Sequence, residues 1–371
     1  MFLNTQEKSS SLPVNEFDQP IMGVSLNRDA WRRLKKNKMA IGGLFIVLFY
    51  ILIALLALIP GAPIHSYNKI ILDHQHLPPS LTKTSGELLY EKTEKKLLAL
   101  SKKKGRDSLN EEENQELKDL RHLIETETME ENGKIIKVHQ RRYLFGTDYH
   151  GRDMLARIIF GSQISMGIGF VGSVTAMLIG ITIGSIAGYT GGRTDYFLVR
   201  FIDIMYSLPY MILVIIFMAM FKSDNQIQRI MNLYLAIAMV SWLTMARIVR
   251  GQFISLKNSE FVEAAKSIGA SKTRIIIRHI LPNTLGIIIV FSTLSFPNFI
   301  LAEAFLSFLG LGISAPLASW GSLISDAVEG MDLFPWRLFF PGIAMTIFLF
   351  AMNFLGDGLR DAFDPQSKNR L

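Results

Sequence analysis

The sequence predicts an all-α integral membrane protein of six spans with a charged, helical insertion on one side of the membrane. Six apolar runs approach or exceed the ~18–20 residues that cross ~30 Å of hydrocarbon. Lys and Arg gather in the connections on one side of those runs, as they do on the cytoplasmic side of membrane proteins. A single long connection, residues 61–150, is strongly charged. The 371-residue chain has no cysteine, which excludes disulfides, Cys-ligated zinc and thiol catalysis. Its net charge of +7 fits the cytoplasmic basic excess of a membrane protein better than nucleic-acid binding, and no nucleic-acid partner is expected.

The elements follow in order. Residues 1–38 form a cytoplasmic N-terminal segment that ends in Arg28, Arg32, Arg33, Lys35, Lys36 and Lys38. Span one is the first transmembrane helix, 39–60; its apolar run from Met39 to Ile59, "MAIGGLFIVLFYILIALLALI", is too deep in the chain and too long for a signal-peptide core. Within 61–150, the stretches 85–105 and 108–127 read as two helices. Gly105 stops the first, and Ser108 with Glu111 forms a capping box for the second. Leu117, Leu120, Leu123 and Ile124 make a helical apolar stripe, and Glu91 and Lys95 an i,i+4 pair. A helical hairpin is the expectation; a charged, partly disordered insertion is the alternative.

Residues 151–361 hold the other five spans, near 164–188, 198–221, 231–249, 284–306 and 339–357, and 362–371 form a cytoplasmic tail. Arg193, the group from Arg247 to Arg278, and Arg360, Lys368 and Arg370 all fall on the side of the N-terminus if six crossings are made. Both termini and the loop 251–282 are then cytoplasmic, and the spans contact membrane lipid.

Several features stand out inside the spans. Gly172, Ala176, Gly180, Gly184 and Gly188 recur every four residues, a small-residue ridge that lets a helix backbone approach closely, in a bundle or at a subunit interface. Arg200 and Asp203, at i,i+3, are expected to pair near the interface. Glu303 either faces a water-filled path or caps the bundle by hydrogen bonding. Pro209 and Pro297 should bend or loosen spans three and five.

No catalytic constellation emerges. G-x-x-x-x-G-K-[ST], H-E-x-x-H and G-x-S-x-G are all missing. His74 and His76 bracket one residue but lack a third ligand nearby in sequence, so no metal site is expected.

The cytoplasmic loop "EFVEAAKSIGASKTRIIIRHILPN", residues 260–283, is basic and amphipathic. Glu260 to Ile268 suits a helix with Phe261, Ala264, Ala265 and Ile268 on one side. Gly269 can end it in a left-handed conformation, Ser271 can cap a second helix over 272–280, and Pro282 forbids simple continuation into span five. Two roles fit: insertion into a groove of another protein, or lying on anionic lipid.

Glu263-Ala264-Ala265, then Gly269, then Ile280-Leu281-Pro282 resembles the E-A-A…G…x-L-P loop of permease subunits of bacterial ABC importers. "FGTDYHGRDMLARIIFGSQISMGIGF", "AGYTGGRTDYFLVRFIDIMYSLP", "AEAFLSFLGLGISAPLASWG" and "MNFLGDGLRDAFDP" are similar to the C-type subunit of the dipeptide/oligopeptide/nickel branch. Residues 83–142 have no counterpart among those motifs. The resemblance implies a type I importer transmembrane domain in the bacterial inner membrane. It implies a second homologous permease, two ABC ATPase subunits that hold the ATP and Mg, an extracytoplasmic substrate-binding protein, and no cofactor in this chain. It also assigns the ATPase contact to Glu263, Ala264, Ala265 and Gly269, with Leu281 and Pro282 closing the motif. A self-sufficient secondary transporter or channel would need a mid-membrane site and an inverted repeat, neither of which stands out.

Overall fold

A computed structural model describes residues 26–59, 66–131, 134–221, 223 and 225–363. The first part of the N-terminal segment and most of the tail, with Lys368 and Arg370, lie outside the described residues.

The basic helix α1 (Leu26–Lys36) stops at Asn37, whose Oδ1 accepts from the backbone N–H of Met39 and Ala40 and so starts span one, α2 (Lys38–Leu56). Within α2, Ala40, Gly43, Val47 and Ala54 form one buried stripe, while Phe45, Leu48, Phe49 and Leu52 face outward, as a lipid-facing helix requires.

The insertion folds as a small layered unit. A turn at Leu72–His74 precedes α3 (Ser85–Lys103) and α4 (Glu111–Thr126). Strands β1 (Thr128–Glu131) and β2 (Lys134–Lys137) pair antiparallel, and a turn at Val138–Gln140 follows. Leu88, Leu89 and Leu97 of α3 are buried, and Leu77, Leu88, Leu89 and Tyr143 form the unit's core with Leu120 packed against it.

The helical hairpin is present, with two corrections. The capping box of α4 is Asn110 with Glu113, not Ser108 with Glu111: Asn110 has the extended backbone a cap needs, and both reciprocal bonds form, at 2.8 and 2.9 Å. Glu91 pairs with Lys83 from the preceding loop, not with Lys95 along the helix. Gly105 does end α3, at φ +73°, with its N–H on Lys102 O and the Arg106 N–H on Ser101 O.

Span two is α5 (Met154–Thr190), capped by Asp153 and twelve residues longer than the predicted run. Then come α6 (Gly192–Ser207) and α7 (Tyr210–Met220), α8 (Gln226–Leu256), and the loop helices α9 (Glu260–Ser267) and α10 (Lys272–Ile275). A π-turn at Ile276–Ile280 leads into α11 (Leu281–Phe308), followed by the short α12 (Trp320–Val328) and α13 (Trp336–Phe363).

Two expectations about proline are refined. Pro209 does more than loosen span three: α6 and α7 meet there at 85°. Pro282 does not interrupt the chain, because the π-turn just before it widens the helix where proline lacks an N–H, and α10, the π-turn and α11 run on together. Pro297 lies inside α11, which stays one element.

Five helices are long and apolar enough to cross a membrane, six if the bent pair counts as one span. The geometry favours six. At one end of the bundle Ala30 and Leu34 of α1 pack on Ala362 and Phe363, Gly286 faces Phe363, and Lys257 Nζ donates to Gly188 O. This is the loop end. At the other, the insertion end, Gln163 Nε2 donates to Ala54 O, Gln226 Nε2 to Ser314 O, and Trp336 Nε1 to Thr147 O. Thus α5 ends at the loop end and α8 begins at the insertion end, so α6 and α7 together must carry the chain across. Their polar contacts with α8 move from Arg250 to Asn232, about 27 Å along that helix at 1.5 Å per residue.

The ridge of α5 serves this bundle, not a subunit interface. Cβ atoms built on Gly180, Gly184 and Gly188 would come within 2.5–2.7 Å of Met245, Ala246 O and Arg250 O of α8. One on Gly172 would come within 2.8 Å of the Phe299 ring of α11. Ala176 lies in the same buried cluster as Trp242, Leu243 and Ala246. Small residues at these positions let α5 and α8 touch backbone to side chain along most of their length.

Candidate functional site

The loop between α8 and α11 is built as a rigid elbow. Lys257 caps the C-terminus of α8 with its backbone N–H on Phe253 O, and Lys266 Nζ donates back to Lys257 O. At the far end of α9 the backbone closes a Schellman motif: Gly269 N–H donates to Lys266 O and Ala270 N–H to Ala265 O, with Gly269 at φ +79°. Ser271 Oγ then accepts from the Arg274 N–H and begins α10, as the sequence suggested.

Val262 and Ala265 press into a buried cluster with Met245, Val249, Phe253, Ile275, Ile280 and Ile288. The elbow is therefore anchored to the ends of two spanning helices. Its other face is bare: Glu260, Phe261, Glu263, Ala264 and Gly269 are exposed, and Ile268 is 85% exposed. The two carboxylates of Glu260 and Glu263 and the Phe261 ring are thus displayed on the same short helix that ends at Ile268.

The predicted site residues divide accordingly. Glu263, Ala264 and Gly269 lie on the bare face. Ala265 does not: at 3% exposure it faces the chain's own core, and its small size lets α9 sit close to α8. This corrects the expectation that both alanines point the same way. Leu281 packs partly against the same cluster and Pro282 is exposed at the start of α11, so these two shape the helix junction.

The intramembrane polar residues also find partners that the sequence did not show. Asp203 pairs with Arg247 of α8 at 2.6 Å, not with Arg200, whose guanidinium lies over the Tyr196 ring. A pair missed in the sequence, Asp195 with Arg250, is bidentate at 2.5 and 2.7 Å and ties α6 to the loop end of α8.

Glu303 is fully buried. Its Oε1 accepts from Ser307 Oγ and Ser319 Oγ, each at 2.6 Å, and Ser319 is the N-cap of α12. The carboxyl thus pins α12 to α11, the capping role of the two considered. Replacing Glu303 with Ala should cost about 2–4 kcal/mol, because two buried hydroxyls lose their acceptor and a cavity opens. Glu303→Gln keeps the acceptor oxygen and should cost less. Thermal unfolding of the detergent-purified variants separates them, and equal losses would refute the pinning role.

The T-D-x-x-G-R-D stretch before α5 is explained by geometry. Thr147 Oγ1 accepts from the Leu77 N–H and donates to His74 O. Asp148 Oδ1 accepts from the backbone N–H of His150 and Arg152, while Oδ2 meets Arg152 Nε at 2.7 Å and Arg157 Nη1. Gly151, at φ +72°, lies against the backbone of Ile71, and Asp153 caps α5. Burial alone would raise the Asp148 pKa; the guanidinium groups of Arg157 and Arg152 overcome this and hold the carboxyl below its ordinary range. The segment locks the insertion to the start of span two.

With this geometry in place the relatives are informative. The family model for the binding-protein-dependent transport system inner membrane component matches residues 180–369. The chain belongs to that family. A second model, for the N-terminal TM domain of oligopeptide transport permease C, matches residues 25–79 and places the chain among the C-type permeases. The oligopeptide transport system permease OppC of Haemophilus influenzae is 46% identical over 226 residues, 61% of this chain and 71% of that protein. The dipeptide transport system permease DppC of Bacillus subtilis is 37% identical over 344 residues, 92% of this chain and 87% of that protein. A chain of the MetNI methionine ABC transporter, crystallised in inward-facing conformations, overlays with TM-score 0.45 and 17% identity, over 56% of this chain and 97% of that one. The protein is a multi-pass membrane permease subunit.

Proposed function

We propose that this C-type permease forms half of the translocation path of an ATP-driven, binding-protein-dependent importer of di- or oligopeptides. A second homologous permease completes the path, two ATPase subunits hold ATP and Mg beneath it, and a binding protein delivers substrate at the insertion end. The loop end, with both termini, lies in the cytoplasm. The observation that carries this reading is the elbow: Val262 and Ala265 are fixed in the bundle while Phe261, Glu263, Ala264 and Ile268 stay exposed. A surface held this way transmits motion as a rigid body. When ATP draws the ATPases together, a helix seated in one of them moves with it, and α8 and α11 must follow. Nucleotide can bias the inward- or outward-facing state only through a contact that differs between the two, and this face supplies one. The names of the relatives support peptides as cargo. A nickel or other small-solute importer is the second reading, favoured only by the breadth of the branch.

Uptake into proteoliposomes bearing the complete complex tests the proposal. A labelled di- or tripeptide should accumulate only with ATP and binding protein, while this chain alone hydrolyses no ATP. Peptide uptake by this chain alone, driven by an ion gradient, would reject the proposal in favour of a secondary transporter.

A further inference from the structure

The core of the insertion contains a histidine relay that the transport reading does not use. His74 and His139 are buried, at 0% and 1% exposure. His74 Nδ1 lies 2.8 Å from Tyr143 Oη, and His74 Nε2 lies 2.9 Å from His139 Nδ1. These contacts fix both rings and aim His139 Nε2 at the edge of the unit. There it meets Glu127 Oε2 at 2.6 Å, and one carboxylate oxygen of Asp73 joins them, all three ligand atoms lying within 4.8 Å of one another.

We infer that Asp73, Glu127 and His139 bind a divalent first-row cation of the Zn2+ or Mn2+ type, which clips the helical hairpin to the base of the insertion. The three ligands come from three separate stretches: the turn Leu72–His74, the residue that ends α4, and the turn after β2. One imidazole nitrogen and two carboxylates, with no sulfur, suit borderline to hard divalent ions, with water in the remaining positions. The relay has the form of an outer shell around such a site. A metal-bound histidine donates its other ring N–H to a fixed acceptor. With His139 Nδ1–H donating to His74 Nε2, and His74 Nδ1–H to Tyr143 Oη, His139 Nε2 presents a lone pair. It then faces the Glu127 carboxylate, two acceptors that a cation would bring together. Asp73 is exposed and Glu127 half-exposed, so both carboxylates have room to close on an ion at about 2.0–2.2 Å. The site was not legible in the sequence because Asp73 lies far along the chain from Glu127 and His139, which are themselves 12 residues apart.

The test uses the full-length chain purified in detergent and stripped with chelator, titrated with Zn2+ and, separately, Mn2+ by calorimetry and by melting temperature. One equivalent of at least one ion should bind and raise the melting temperature. Asp73→Asn and Glu127→Gln should each weaken that binding at least tenfold while leaving the metal-free melting temperature near wild type, since neither side chain lies in the core. His122→Ala, an exposed histidine on α4, should change nothing. Co2+ should give a visible d–d spectrum that Asp73→Asn and Glu127→Gln weaken. The inference is overturned if neither ion binds, or if both carboxylate variants bind as wild type does, which would place the ion elsewhere. It does not rest on the transport reading, and its outcome leaves that reading unchanged.

Discussion

Gly269→Asp should abolish ATP-driven uptake by the assembled complex while the chain still inserts and folds. The backbone at Gly269 is left-handed, which costs a residue with a Cβ about 1–2 kcal/mol. That is the whole expected intramolecular cost, because among the described residues nothing beyond its chain neighbours lies within 4 Å of a Cβ built there. A large functional loss must therefore come from outside the chain, where a new carboxylate would meet the partner's surface. Uptake should fall by at least tenfold, with the melting temperature of the isolated chain lowered by only a few degrees. ATP hydrolysis should continue without responding to loaded binding protein. Normal uptake in this variant would remove the elbow from the coupling path.

Asp148→Ala should have the largest effect on folding. It leaves the guanidinium groups of Arg152 and Arg157, each 1% exposed, without their shared counter-charge. Removing one partner of a buried ion pair typically costs about 3–5 kcal/mol, far more than the pair itself contributes. The insertion should detach from α5, and monodisperse protein should be largely lost after mild heating. Glu91→Ala is the comparison. Its ion pair with Lys83, in the same insertion, is two-fifths or more exposed on both sides, so its loss should cost no more than about 1 kcal/mol. Similar losses from the two variants would show that burial is not what makes Asp148 important.

The spans were legible because an apolar run reports its own environment: α2 reads as a span before any neighbour is known. The caps of the elbow were legible for the same local reason, since Gly269 and Ser271 act within a few residues of themselves. What stayed hidden depended on distant chain. Asp203 had a local candidate in Arg200, but its partner, Arg247, is 44 residues away. Ala264 and Ala265 sit about 100° apart on one helix, so one can face out while the other is buried. Which one does is set by a core drawn from residues 245 to 288. Ser108 and Asn110 both stand three residues before a glutamate, so the pattern alone did not decide between them, and the cap forms at Asn110. The β-hairpin at 128–137 left a signal that was not used, the Asn132-Gly133 pair between its strands.

Because the chain contains no native cysteine, single cysteines at 264 and 265 give a direct test of the elbow. In the working complex, Ala264→Cys carrying a short photo-crosslinker should link to an ATPase subunit, with a yield that changes between nucleotide-free and ATP-bound states. Ala265→Cys, buried under α9, should label poorly and link to none. Crosslinks from position 264 that reach only lipid, or equal ATPase crosslinking from both positions, would contradict the account.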